Sequence, residues 1–119
     1  MDNTEILKAE ALRAEALKKI TAYVGFALKA GGVRFGFESV KSGGKKNYAV
    51  LADGTLSDKS KKEIAFWSKK NKVGLMFFDR LDEITRKTGV KVMSVTNKEL
   101  AEQILRNARS PSADKPSYN

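Results

Sequence analysis

Two short apolar runs constrain the fold of this chain more than any other feature: Tyr48-Ala49-Val50-Leu51 and Val73-Gly74-Leu75-Met76-Phe77-Phe78. Both fall short of helix length and are bounded by Lys-rich or Asp-Gly punctuation, which predicts buried strands. Neither alternates cleanly between apolar and polar residues, so both are expected in the middle of a sheet covered on its two faces. The segments around them have helical character. Residues 3–30 are rich in Ala, Leu, Lys and Glu, with Leu17, Ile20, Val24, Ala27 and Leu28 three or four apart before Gly31-Gly32 ends the helix. Residues 57–71 predict a second helix, with Ile64, Ala65 and Trp67 on its buried side and Lys59, Lys61, Lys62, Lys69 and Lys70 on its wet side. Val33-Arg34-Phe35 reads as a short strand. Residues 36–41 read as a turn opening a brief helix before the Ser42-Gly43-Gly44 break, and residues 81–87 as a short helix ended by Gly89. Residues 90–95 form a further strand, after which Thr96 and Glu99 make a capping-box pair in front of a helix carrying Leu100, Ile104 and Leu105. Helices alternating with strands imply an α/β domain with helices on both faces of a small sheet.

A chain of 119 residues suits one domain with one modest core. It contains neither Cys nor His. That removes zinc fingers, thiol chemistry and imidazole bases from consideration, and no carboxylate pair has the arrangement of a catalytic site. No phosphate loop is present either, because Gly43-Gly44-Lys45-Lys46 lacks the upstream Gly and the Ser or Thr of a nucleotide-binding loop. No catalytic activity, cofactor or metal is therefore expected. The start Met-Asp-Asn-Thr-Glu is acidic where a signal peptide is basic, and no run has membrane-spanning length, so a cytoplasmic location is expected.

The formal charge of +9 points to a polyanionic partner through counterion release. It is unevenly placed: between Lys41 and Lys72 stand nine lysines against Asp53, Asp58 and Glu63, whereas residues 1–31 are nearly balanced.

Five short motifs, in order, resemble the ribosomal protein L-seven-Ae and L-thirty-e superfamily, in particular its short bacterial members. They are Gly25-Phe26-Ala27-Leu28-Lys29-Ala30-Gly31, Phe35-Gly36-Phe37-Glu38, Val50-Leu51-Ala52-Asp53, Leu81-Asp82-Glu83-Ile84-Thr85-Arg86-Lys87-Thr88-Gly89, and Val92-Met93-Ser94-Val95-Thr96-Asn97. The resemblance covers about residues 18–105. It implies a three-layer α-β-α sandwich around a mixed four-stranded sheet, with residues 17–107 as the RNA-binding domain; outside it lie residues 1–16, read as a helical extension, and 108–119, whose Pro, Ser, Asp and Lys predict a disordered tail. It also implies binding to kink-turn RNA, with ribosomal RNA and ribosomal proteins as partners, and neither a membrane nor a small-molecule substrate.

Matched onto the family's motif, Gly36 takes the Gly that opens the RNA-contacting helix, Phe37 the variable position, Glu38 the Asn position and Ser39 the Glu position. Asn both donates and accepts, whereas ionised Glu38 only accepts, so it suits guanine N–H groups and not phosphate. The helix after Gly36 is also about one turn shorter than in relatives. Arg34, Lys41, Lys45 and Lys46 are expected to surround the Gly36 turn as phosphate contacts, and Thr85, Arg86 and Gly89 to form the matched neighbouring loop, where Thr88 and Val90 would supply the cover over an extruded base. Two other functions compete with RNA binding. One is a protein adaptor that uses the N-terminal helix, and the other is a recognition domain serving an RNA-modifying enzyme on another polypeptide.

Overall fold

A computed structural model describes residues 3–108. The expected tail therefore lies outside the described residues, apart from Ala108 at the end of the last helix.

The chain runs α1 (Asn3–Lys29), β1 (Val33–Phe35), α2 (Phe37–Gly43), a single 3-10 turn (Gly44–Lys46), β2 (Ala49–Asp53), α3 (Asp58–Lys70), β3 (Gly74–Phe78), α4 (Leu81–Thr85), β4 (Val92–Val95) and α5 (Lys98–Ala108). The four strands form one mixed sheet in the order β1-β4-β2-β3, with β2 and β3 parallel and β4 antiparallel to both β1 and β2. Side-chain parity sorts the core into two layers. Ala49, Leu51, Met93 and Val95 face α1, α4 and α5 through Ile20, Val24, Leu81, Ile84, Ala101 and Ile104. Val50, Ala52 and Val92 face α2 and α3 through Val40 and Ile64. The result is the expected three-layer α/β sandwich.

Several local expectations are corrected. The central strands are β2 and β4, while β3 is an edge strand. β3 reads as central because helices partly cover both of its faces: Leu75 packs in the α3 layer, and Met76 and Phe78 in the α5 layer, while Phe77 stays exposed. Tyr48 stands outside β2 and is exposed. On α1, Leu17 lies off the buried stripe, which is Ala16, Ile20, Val24 and Ala27. On α3, Ala65 faces solvent, and Ile64 and Ser68 are the buried positions. Asn97, not Thr96, caps α5, its Oδ1 accepting from Leu100 N at 2.9 Å. α4 stops at Arg86, which takes the left-handed conformation at φ 58°, before Gly89 is reached.

α1 is one unbroken helix of 27 residues, and its first buried side chain is Ala16. No helix among the described residues is long and apolar enough to cross a membrane.

Candidate nucleic-acid interface

Backbone hydrogen bonds gather four loops on one rim of the sheet. Gly36 N donates to Val92 O at 2.8 Å, Asp53 N donates to Lys91 O at 2.8 Å, and Gly54 N donates to Phe78 O at 2.6 Å. The ends of β1, β2 and β3 therefore meet the start of β4, and the Gly36 turn adjoins residues 86–91. The Lys87 ammonium sits 4.3 Å from the centroid of the Phe35 ring and bridges the two segments.

Gly36 caps α2 with φ 85° and ψ 147°, a conformation essentially reserved for glycine. Gly89 has φ 83°. Both are exposed, and no atom lies within 4 Å of where a Cβ would stand on either. Beside them Arg86 and Lys87 are exposed and make no ion pair among the described residues.

The remaining candidates divide. Glu38 is 86% exposed on its side chain and holds Lys41 at 2.8 Å, while the same Lys41 ammonium lies 4.6 Å from the Phe37 ring centroid. Phe37 is half-buried and meets Trp67 edge to face. Ser39 contributes its backbone, its carbonyl accepting from the Arg34 guanidinium at 3.3 Å. Arg34 lies along α2 so closely that a Cβ on Gly43 would stand 2.7 Å from its Nε. It serves the packing of β1 on α2 instead of projecting from the turn.

Lys45 and Lys46 do not surround Gly36. They follow α2, whose seven residues span about 10 Å, and they lead into β2 at the opposite rim. Tyr48 N bonds Val95 O and Thr96 N bonds Gly32 O at that rim. Asn47 anchors the turn there, donating to Val40 O and Gly44 O and accepting from the Ser94 hydroxyl. Thr85 is likewise corrected: it is buried, and its hydroxyl accepts from Lys87 N at 3.2 Å, so it shapes the loop from below.

Asp53 is the polar hub of the rim. Its carboxylate is 1% exposed and accepts from Thr55 N, the Thr55 hydroxyl and Leu81 N, with Lys91 Nζ at 3.8 Å. Burial pushes its pKa up, but the Thr55 bonds, the Leu81 N–H and the Lys91 charge outweigh that and hold it at about 2. It thereby fastens the loop after β2 to the first turn of α4. Its sequence signature, Asp-Gly after a strand, announces a turn but not this longer reach.

No family model matches the chain, and no curated protein matches it. Among solved structures it is similar to a protein of unknown function from Bacillus halodurans C, with a TM-score of 0.72 and 14% identity over 77% of this chain and 98% of that one. At that identity the likeness is one of fold.

Proposed function

We propose that this chain binds structured RNA at the rim where the Gly36 turn meets residues 86–91, and that it positions its partner without transforming it. The observation that carries the reading is the bare backbone there: two exposed positive-φ glycines with open space above them, flanked by Arg86 and Lys87. A sugar-phosphate backbone or a base edge approaches such a surface without displacing a side chain, and the two cations add the counterion-release term. The +9 charge favours the same class of partner. The resemblance of the sequence makes kink-turns, and ribosomal RNA among them, the first RNA to test. Glu38, at the position where the resembled family has Asn, lacks the Asn donor, so it would accept guanine N–H groups only, and only after leaving Lys41.

The test is binding of the purified protein to a kink-turn RNA and to a straight duplex of equal length across a salt series. Tighter kink-turn binding, lost on Arg86→Glu with Lys87→Glu and less affected by Lys45→Glu with Lys46→Glu, supports the rim. Equal and steeply salt-dependent binding to both RNAs leaves only a basic surface. Absence of binding to either refutes the reading.

A second reading, a protein adaptor, is favoured by the first half of α1, where Leu7 and Leu12 are exposed on a stretch with no buried residue before Ala16. It predicts that removing residues 1–15 abolishes self-association or partner capture while the domain stays folded.

A further inference from the structure

Among the described residues Phe66 is the most exposed large apolar side chain, at 70%. Helix geometry places it there. α3 turns Ile64 and Ser68 toward the sheet, and residues three or four apart share a face, so Lys59, Lys62, Phe66, Lys69 and Lys70 form one stripe on the opposite side, with the single carboxylate of Glu63 along its margin. The five α3 lysines outnumber Asp58 and Glu63, and none of them makes an ion pair among the described residues. A single exposed apolar residue is ordinary on a protein surface. A planar ring among four lysines that make no ion pair among the described residues, against the one carboxylate of Glu63, is a different object, because it offers a stacking face and phosphate partners together.

We propose that the outer face of α3 is a second binding surface, one that takes an unpaired nucleic-acid strand, with a base stacked on Phe66 and phosphates on the flanking lysines. The stripe from Lys59 to Lys70 is about 17 Å long, which accommodates a few nucleotides. Its width is one aromatic ring. A helix that lies in a membrane interface needs a broad apolar face, which this helix lacks on its outer side, and an acidic protein would leave the ring without a role. A duplex offers phosphates but no free base face, so the ring selects for unpaired bases. The surface is distinct from the Gly36 rim, and the inference does not depend on the reading above.

The experiment is fluorescence anisotropy with a labelled oligo(U) about twelve nucleotides long and with a hairpin duplex of similar charge. Phe66→Ala weakens oligo(U) binding by about fivefold or more and leaves duplex binding unchanged, while Phe66→Trp retains oligo(U) affinity. Lys62→Glu with Lys69→Glu weakens binding to both and flattens the salt dependence. Thermal melts of each variant confirm that folding is intact. Unchanged oligo(U) affinity in Phe66→Ala, or an equal loss on the duplex, overturns the proposal. So does Phe66-dependent binding to vesicles containing phosphatidylserine with no such dependence on oligo(U). Failure to prefer a kink-turn alongside Phe66-dependent oligo(U) binding refutes the rim alone, and the converse refutes the stripe alone.

Discussion

Replacing Asp53 with Asn changes one atom of charge chemistry at the point where the β2 loop and α4 are tied together. The carboxylate accepts on both oxygens, from Thr55 through Oδ1 and from Leu81 N through Oδ2 at 2.9 Å. An amide offers one acceptor, so its NH2 must face either Thr55 or the Leu81 N–H and leave a buried donor unpaired. The magnitude follows from linkage. A carboxyl that titrates at about 2 in the folded chain and at 3.8 in the unfolded one contributes about 2 kcal/mol of stability at neutral pH. Because the folded value is the lower one, that contribution is complete above about pH 4 and disappears as pH falls from 4 toward 2. Urea unfolding at pH 7, 4 and 2.5 measures it. Wild type is expected to lose about 2 kcal/mol across the acid step that Asp53→Asn does not lose, and the variant to melt ~10 °C lower at pH 7. Parallel acid profiles for the two proteins would refute the assignment of Asp53 as the stabilising carboxylate.

Three further perturbations test the framework. Gly36→Ala forces a Cβ into backbone angles of φ 85° and ψ 147°, with an expected cost of about 1–3 kcal/mol by denaturant titration despite the open space around it. Ser68→Ala removes a buried hydroxyl that has no hydrogen-bond partner among the described residues, and is expected to leave stability equal or raise it by up to ~1 kcal/mol. A chain lacking residues 1–15 is expected to melt within a few degrees of the full chain, since burial on α1 starts at Ala16; a collapse of the cooperative transition would show that the first turns of the helix support the core.

The element list was legible in the sequence because each element carries its own local signal: three-and-four spacing on α1, the segregation of Ile64 from the lysines on α3, the apolar runs of β2 and β3. The strand order was not, and β3 shows why. Its apolar composition suggests two covered faces, but as an edge strand between α3 and α5 it is covered only in part, with Phe77 exposed where β2 and β4 are buried throughout. Periodicity records burial of faces and is silent about hydrogen-bonded neighbours. Leu17 and Ala65 failed for a related reason. A stripe predicts which side of a helix is buried to within roughly one residue, about 100° of arc, so positions at its margin are decided by what the neighbouring layer reaches.

The geometry of the candidate site was legible in part, and the part that was missed follows from the topology. Gly36 and Lys45 are neighbours in sequence, but α2 intervenes and carries Lys45 and Lys46 to the far rim. Lys87 and Lys91 are some fifty residues from Gly36 and arrive beside it, because β4 runs antiparallel to β1 with Phe35 opposite Met93. No local pattern encodes that pairing. Phe66 has a simpler explanation: its place on the wet side of the Lys-rich helix α3 follows from its spacing from Ile64 alone, and the sequence alone assigns it no role. Charge reversal at Lys45 and Lys46 against reversal at Arg86 and Lys87 therefore separates two ideas that sequence merges. If affinity follows the first pair, electrostatics spread along the chain governs binding; if it follows the second, the surface assembled by the sheet does.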